Sequence, residues 1–172
     1  MTNPEFRPSA VATRLVVYGA LPAIADGRGF PNDSIATPGR LLSPESRSAA
    51  GLTKPGRTFQ FAALGADVFL DLSGSEAAAW FAGADFDSAV DIFDTALRRA
   101  YPGARQTDDR PLKDDASMRA RGYRVEFTQG RRAFIELLYA MPSAKGEAQS
   151  FTAKVTAQQI QSGAGAGQRG LN

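Results

Sequence analysis

Proline placement divides this chain before anything else does. Seven of its ten prolines, at positions 4, 8, 22, 31, 38, 44 and 55, precede Arg57. Each fixes its own φ, lacks an N–H donor and biases the preceding residue away from helix. Glycines are interspersed, and neither a helical nor an alternating apolar period lasts for more than about a turn. The expectation is an irregular arm or leader over residues 1–56, an α+β domain over 57–161 and a flexible tail over 162–172. In the tail, Gly163, Gly165 and Gly167 alternate with alanines and leave almost nothing to bury.

One segment of the leader is apolar. Residues 15–25 read LVVYGALPAIA, follow Arg7 and Arg14, and end small-x-small before Asp26. That order matches a secretory signal over residues 1–25. Gly19, Pro22 and Glu5 depart from the pattern, and the other expectation is an extended arm, or a short helix docked on a neighbour. No run reaches the roughly 18 apolar residues of a membrane span. The reading ranks a cytoplasmic or assembly-bound chain ahead of an exported one.

Beyond Arg57 the periodicity is strong. Phe59, Phe61 and Ala63 alternate with polar or small residues, and Val68, Leu70 and Leu72 alternate after a Gly65-containing break, which predicts a hairpin. Ser73 and Glu76 have the spacing of a capping box and predict a short helix through Phe81 that stops at Gly83. Asp85 then predicts the cap of a longer helix over 86–101. There Phe86, Val90, Phe93 and Leu97 form one stripe, and Pro102-Gly103 ends it. Residues 104–118 read as polar and irregular.

The alternation resumes at Arg121. Tyr123, Val125 and Phe127 share one face, Arg124 and Glu126 the other, and Thr128-Gln129-Gly130 suits a three-residue hairpin loop. That loop sets Val125 opposite Ala133, Tyr123 opposite Ile135, and Glu126 opposite Arg132. A shift of one residue would mix core with solvent positions. A last strand covers 151–157. The predicted assembly is an antiparallel sheet of about five strands with one long and one short helix on one face.

Chemistry is bounded by what the chain lacks. With no cysteine and no histidine, thiolate nucleophiles, zinc and haem sites, disulfides and the usual hydrolytic triads are excluded. No cofactor or metal is assigned. Asp85-x-Asp87 with Lys113-Asp114-Asp115 carries oxygen ligands, but Ala89 and Val90 stand where a calcium loop needs an oxygen donor and a glycine. Charge is segregated: residues 58–95 hold seven acids and no base, and residues 96–172 hold thirteen bases and seven acids. Such asymmetry marks a partner surface or neutralises within the fold.

Arginines around Tyr123, Phe127 and Phe134 raise single-stranded nucleic-acid binding, but Glu126 and Glu136 on the same wet face oppose phosphate. The first functional expectation is therefore a non-catalytic protein-binding or assembly module, a homo-oligomer or one with a protein partner, using the N-terminal arm. Its candidate contacts are Trp80, Phe81, Arg124, Arg132 and Phe134. The alternative is an enzyme or small-ligand protein built from carboxylates and arginines. Nucleic-acid binding ranks third.

Overall fold

The computed structural model describes residues 6–26, 39–82, 89–113, 118–127, 130–140 and 150–159. Among them, alternating apolar residues build one antiparallel sheet of eight strands. These are β1 (Arg40–Leu41), β2 (Arg57–Phe61), β3 (Val68–Ser73), β4 (Glu76–Ala82), β5 (Arg105–Pro111), β6 (Met118–Glu126), β7 (Arg131–Ala140) and β8 (Ser150–Gln159). Their order across the sheet is β1-β2-β3-β4-β8-β7-β6-β5, so β8 returns to the centre and closes two consecutive meanders into a single surface.

Both expected hairpins are present, the second in the expected register. Phe61 faces Val68 across the first. In the second, Val125 faces Ala133, Tyr123 faces Ile135 and Glu126 faces Arg132. Gly130 takes φ 71°, a left-handed conformation that side chains with a Cβ avoid and that this loop requires.

Among the described residues three helical segments accompany the sheet, against two expected, and the strand count exceeds the expected five. The largest correction concerns the N-terminus. Residues 8–26, expected to be irregular, form one helical rod, α1, made of an α-helix (Pro8–Arg14), a π-helical turn (Leu15–Ala20) and a second α-helix (Leu21–Asp26). Pro8 sits at the first helical position, where a missing N–H costs nothing. Pro22 explains the widened turn. It cannot donate to the carbonyl of Tyr18, and its ring would clash there. The wider turn relieves that conflict, and the Leu21 N–H reaches back five residues to the Val16 carbonyl.

This rod is the centre of the core. Ala12, Leu15, Val16, Val17, Ala20 and Leu21 are all fully buried. The rod lies on β3, β4, β7 and β8 and against the third helix, α3 (Ala89–Ala100). A helix enclosed on nearly all sides has no polar face to reveal its period, which is why its sequence resembles a leader. Small residues on the strands beneath, Ala77, Ala79, Ala133 and Ala153, let it lie close. From α3, Ala89, Val90, Phe93 and Leu97 complete the layer.

Two further segments depart from the sequence reading. Residues 76–82, expected as helix, form β4. Ser73 pairs with Glu76 across a Gly74-Ser75 turn, with Gly74 at φ 60°, so the serine–glutamate spacing closes a two-residue hairpin and caps no helix. Ala77, Ala79 and Phe81 then face the core, and Ala78 and Trp80 face outward. Tertiary pairing on both sides, to β3 and β8, overrides the helical preference of the alanines. Residues 105–111, expected as irregular, form the edge strand β5. Charged side chains and a terminal proline suit an edge, where they block further pairing.

The second helix, α2 (Pro44–Ala49), is capped by Ser43, whose Oγ accepts the Ser46 N–H at 3.2 Å. The expected caps and acids at Asp85, Asp87, Asp114 and Asp115, and the 162–172 tail, lie outside the described residues. Among those described, no helix is long and apolar enough to cross a membrane.

Candidate binding face

The two faces of the sheet differ in kind. Helices α1 and α3 cover the centre of the inner face. The outer face is organised by register into three rows that run across the strands. The first row is Gln60, Phe69, Trp80, Thr152, Leu138, Ala120 and Arg110. Its middle is apolar and half-buried, with the Phe69 and Trp80 rings stacked at 5.6 Å. The second row carries Asp71, Ala78, Lys154, Glu136, Gly122 and Asp108, and the third Ser73, Glu76, Thr156, Phe134, Arg124 and Arg105.

One corner of this face is covered by residues 43–56, fastened through a single arginine. Arg47 donates from Nε to Thr58 Oγ1 at 3.0 Å and from Nη2 to Asp71 Oδ1 at 2.9 Å and Ser73 Oγ at 3.2 Å. Its Nη1 reaches the Lys54 carbonyl. Asp71 also accepts from Thr58 Oγ1 and Ser73 Oγ, each at 2.7 Å. Burial raises the Asp71 pKa, but the hydrogen bonds from Ser73, Thr58 and Arg47, with the Arg47 charge, outweigh it. The carboxyl is held below the ordinary aspartate range. With donors on both oxygens, Asp71 anchors this segment to the sheet. Beside it lies a cavity of about 250 Å³ bordered by Lys54, Glu76, Ala78 and Lys154. Lys54 and Glu76 pair across it at 2.9 Å.

A second polar network lies on the inner face at the β5–β6 end. Arg119 and Arg121 both embrace Asp109, through four hydrogen bonds of 2.7 to 3.0 Å. Tyr123 donates from its hydroxyl to Asp94 Oδ1 at 2.8 Å, and Arg98 donates to Asp94 Oδ2 at 2.9 Å. Burial first, opposed by the Arg121 hydrogen bond and reinforced by Asp94, pushes the Tyr123 pKa up to about 12. The raised value means the neutral phenol is favoured by folding. Its contribution to stability is complete below the ordinary tyrosine pKa of about 10 and is lost as pH rises through the folded-state value. A spectrophotometric titration of the folded protein should show one phenol ionising near pH 12, and Tyr123→Phe should delete that step.

The five sequence-derived contact residues separate. Trp80, Arg124, Arg132 and Phe134 share the outer face. Arg124 and Phe134 are direct cross-strand neighbours, and Arg132 faces Glu126. Phe81 does not join them: it is buried on the inner face, stacked on Phe151 at 5.4 Å. Placing both Trp80 and Phe81 on one helix had united residues that a strand sends to opposite faces. Phe69, which alternation with Val68, Leu70 and Leu72 already places on this face, and Leu138 were not among the expected contacts. Their alternation against Leu70 and Leu137 was the available signal. Among the described residues, no three carboxylates gather as a cation site requires. The chain matches no protein-family model, and no curated protein sequence matches it.

Proposed function

We propose that this protein is a non-catalytic protein-binding module whose contact surface is the outer face of its sheet. The observation that carries the reading is the half-buried apolar row Phe69, Trp80 and Leu138, with Phe134 four residues along β7 from Leu138, on the face opposite the core. The row runs from β3 to β7, a span of about 14 Å at ordinary strand spacing. Large aromatic side chains in such a setting are favoured anchors for a partner. The acids described in most detail favour binding over catalysis, because Asp71, Asp94 and Asp109 all have their oxygens engaged by internal donors. The buried apolar side chains of α1, Val11 to Leu21, belong to the core and not to this contact.

The test is copurification from the native host with wild type and with a Trp80→Ala/Phe134→Ala variant that retains a wild-type melting curve. Retention of the partner should fall by about tenfold or more, the loss typical of removing two anchors. Undiminished retention, or recovery of the chain alone, would refute the proposal.

A further inference from the structure

The arginines of β6 are treated differently on its two faces. On the inner face, Arg119 and Arg121 are saturated by Asp109. On the outer face, Arg124 stands directly opposite Arg105 of β5, a like-charge apposition that destabilises a sheet when nothing lies between the charges. Among the described residues the Arg105 side chain has neither hydrogen bond nor ion pair, and the Arg124 ion pair is a long one of 3.6 Å to the exposed Glu126. One pair further along, Arg132 faces Glu126 in register without an ion pair, and its Nε is buried with no acceptor. Phe134 lies between these positions on β7.

We infer that the partner of this face is an acidic protein segment that sets carboxylates against Arg105, Arg124 and Arg132 and apolar side chains against Phe69 and Trp80. The inference rests on the outer face being the contact surface. A guanidinium presents a planar fork that a carboxylate meets with two parallel hydrogen bonds, and a carboxylate placed between Arg105 and Arg124 would remove their repulsion. The apolar row passes through Leu138, four residues along β7 from Phe134, or about 13 Å away. An amphipathic helix about 10 Å across, acidic on one flank and apolar on the other, bridges that separation. Between the two rows lie Lys154 and Glu136, which face each other and are neutral as a pair. A nucleic acid suits the face less well. It carries a phosphate at every nucleotide, and Glu76, Asp108, Glu126 and Glu136 are distributed over the same surface.

Trp80 is the chain's one tryptophan, so its emission reports engagement directly. The full chain would be titrated with two amphipathic peptides of about 16 residues, one of leucine and glutamate, the other of leucine and lysine, and with an oligothymidylate. The glutamate peptide should shift Trp80 emission and lose affinity at higher salt. In Arg105→Glu/Arg124→Glu it should bind about tenfold or more weaker, and the lysine peptide should bind in its place. Should the double variant fail to fold, Arg105→Gln alone must still weaken the glutamate peptide. No response to the glutamate peptide, equal affinity in the reversed variant, or tighter binding of oligothymidylate overturns the inference. If charge reversal is without effect while Trp80→Ala abolishes binding, the contact face stands and its acidic partner falls. If the native partner is retained despite Trp80→Ala/Phe134→Ala, the face itself falls.

Discussion

Replacing Leu15 with aspartate should leave a chain with no cooperative unfolding transition. Leu15 is fully buried at the start of the π turn of α1, enclosed by the sheet and α3. A carboxylate there would have no partner, and burying one unpaired costs several kcal/mol. Domains of this size have about 5 to 15 kcal/mol in total. The milder Leu15→Ala should retain the transition at a cost of about 2 to 5 kcal/mol, because it leaves a cavity without adding a charge. Circular dichroism melts and dye binding to exposed apolar surface distinguish the outcomes. The same reasoning applies to a chain that begins after Asp26, at the end of the segment resembling a secretory signal. Lacking Val11 to Leu21, it should bind the dye and show no melting transition. A wild-type melt in Leu15→Asp would mean that α1 is dispensable to the core.

Asp71→Ala should be the most costly polar substitution, on the order of 3 kcal/mol, as for other buried pairs deprived of one member. It strands Arg47, whose side chain is only 11% exposed, and removes the acceptor shared by Thr58 and Ser73. The effect should be local as well as global: residues 43–56 lose their anchor, so their amides should exchange faster than those of β7 and β8. A double-mutant cycle with Arg47→Ala should show strong coupling, because each single variant leaves the other group unpaired. The pH dependence follows from the lowered Asp71 pKa. The ionised carboxylate contributes its full stability above the ordinary aspartate pKa of about 3.9, and loses it as pH falls through the lower folded-state value. Acid unfolding midpoints of wild type and Asp71→Asn, compared on that limb, measure this contribution. Identical acid limbs would remove Asp71 from the account.

These two sites show where sequence reasoning reached and where it stopped. The hairpin from Tyr123 to Ile135 was legible because a period of two, a short loop and one glycine leave a single register that keeps Tyr123, Val125, Ala133 and Ile135 together. The α3 stripe of Val90, Phe93 and Leu97 was legible because one side of that helix faces water. Of the outer-face set, Trp80, Arg124, Arg132 and Phe134 were found by residue type, and Phe81 was misplaced with them. The Arg47–Asp71 anchor had no signature at all, because its members are 24 positions apart and meet only when α2 folds onto the β2–β3 hairpin.

What the sequence determined by itself is therefore local or exclusionary. Without cysteine or histidine, whole classes of chemistry are closed whatever the fold. Alternating strands carry their own faces, and turn glycines carry their own registers. Only the tertiary structure decided that an apolar segment interrupted by Gly19 and Pro22 is the central helix and that an alanine-rich segment is a central strand. It alone gathered Arg105, Arg124 and Arg132 on one face of the sheet. The reason is physical: a segment surrounded on all sides by other parts of the chain shows no polar side, so its period appears only once its neighbours are in place.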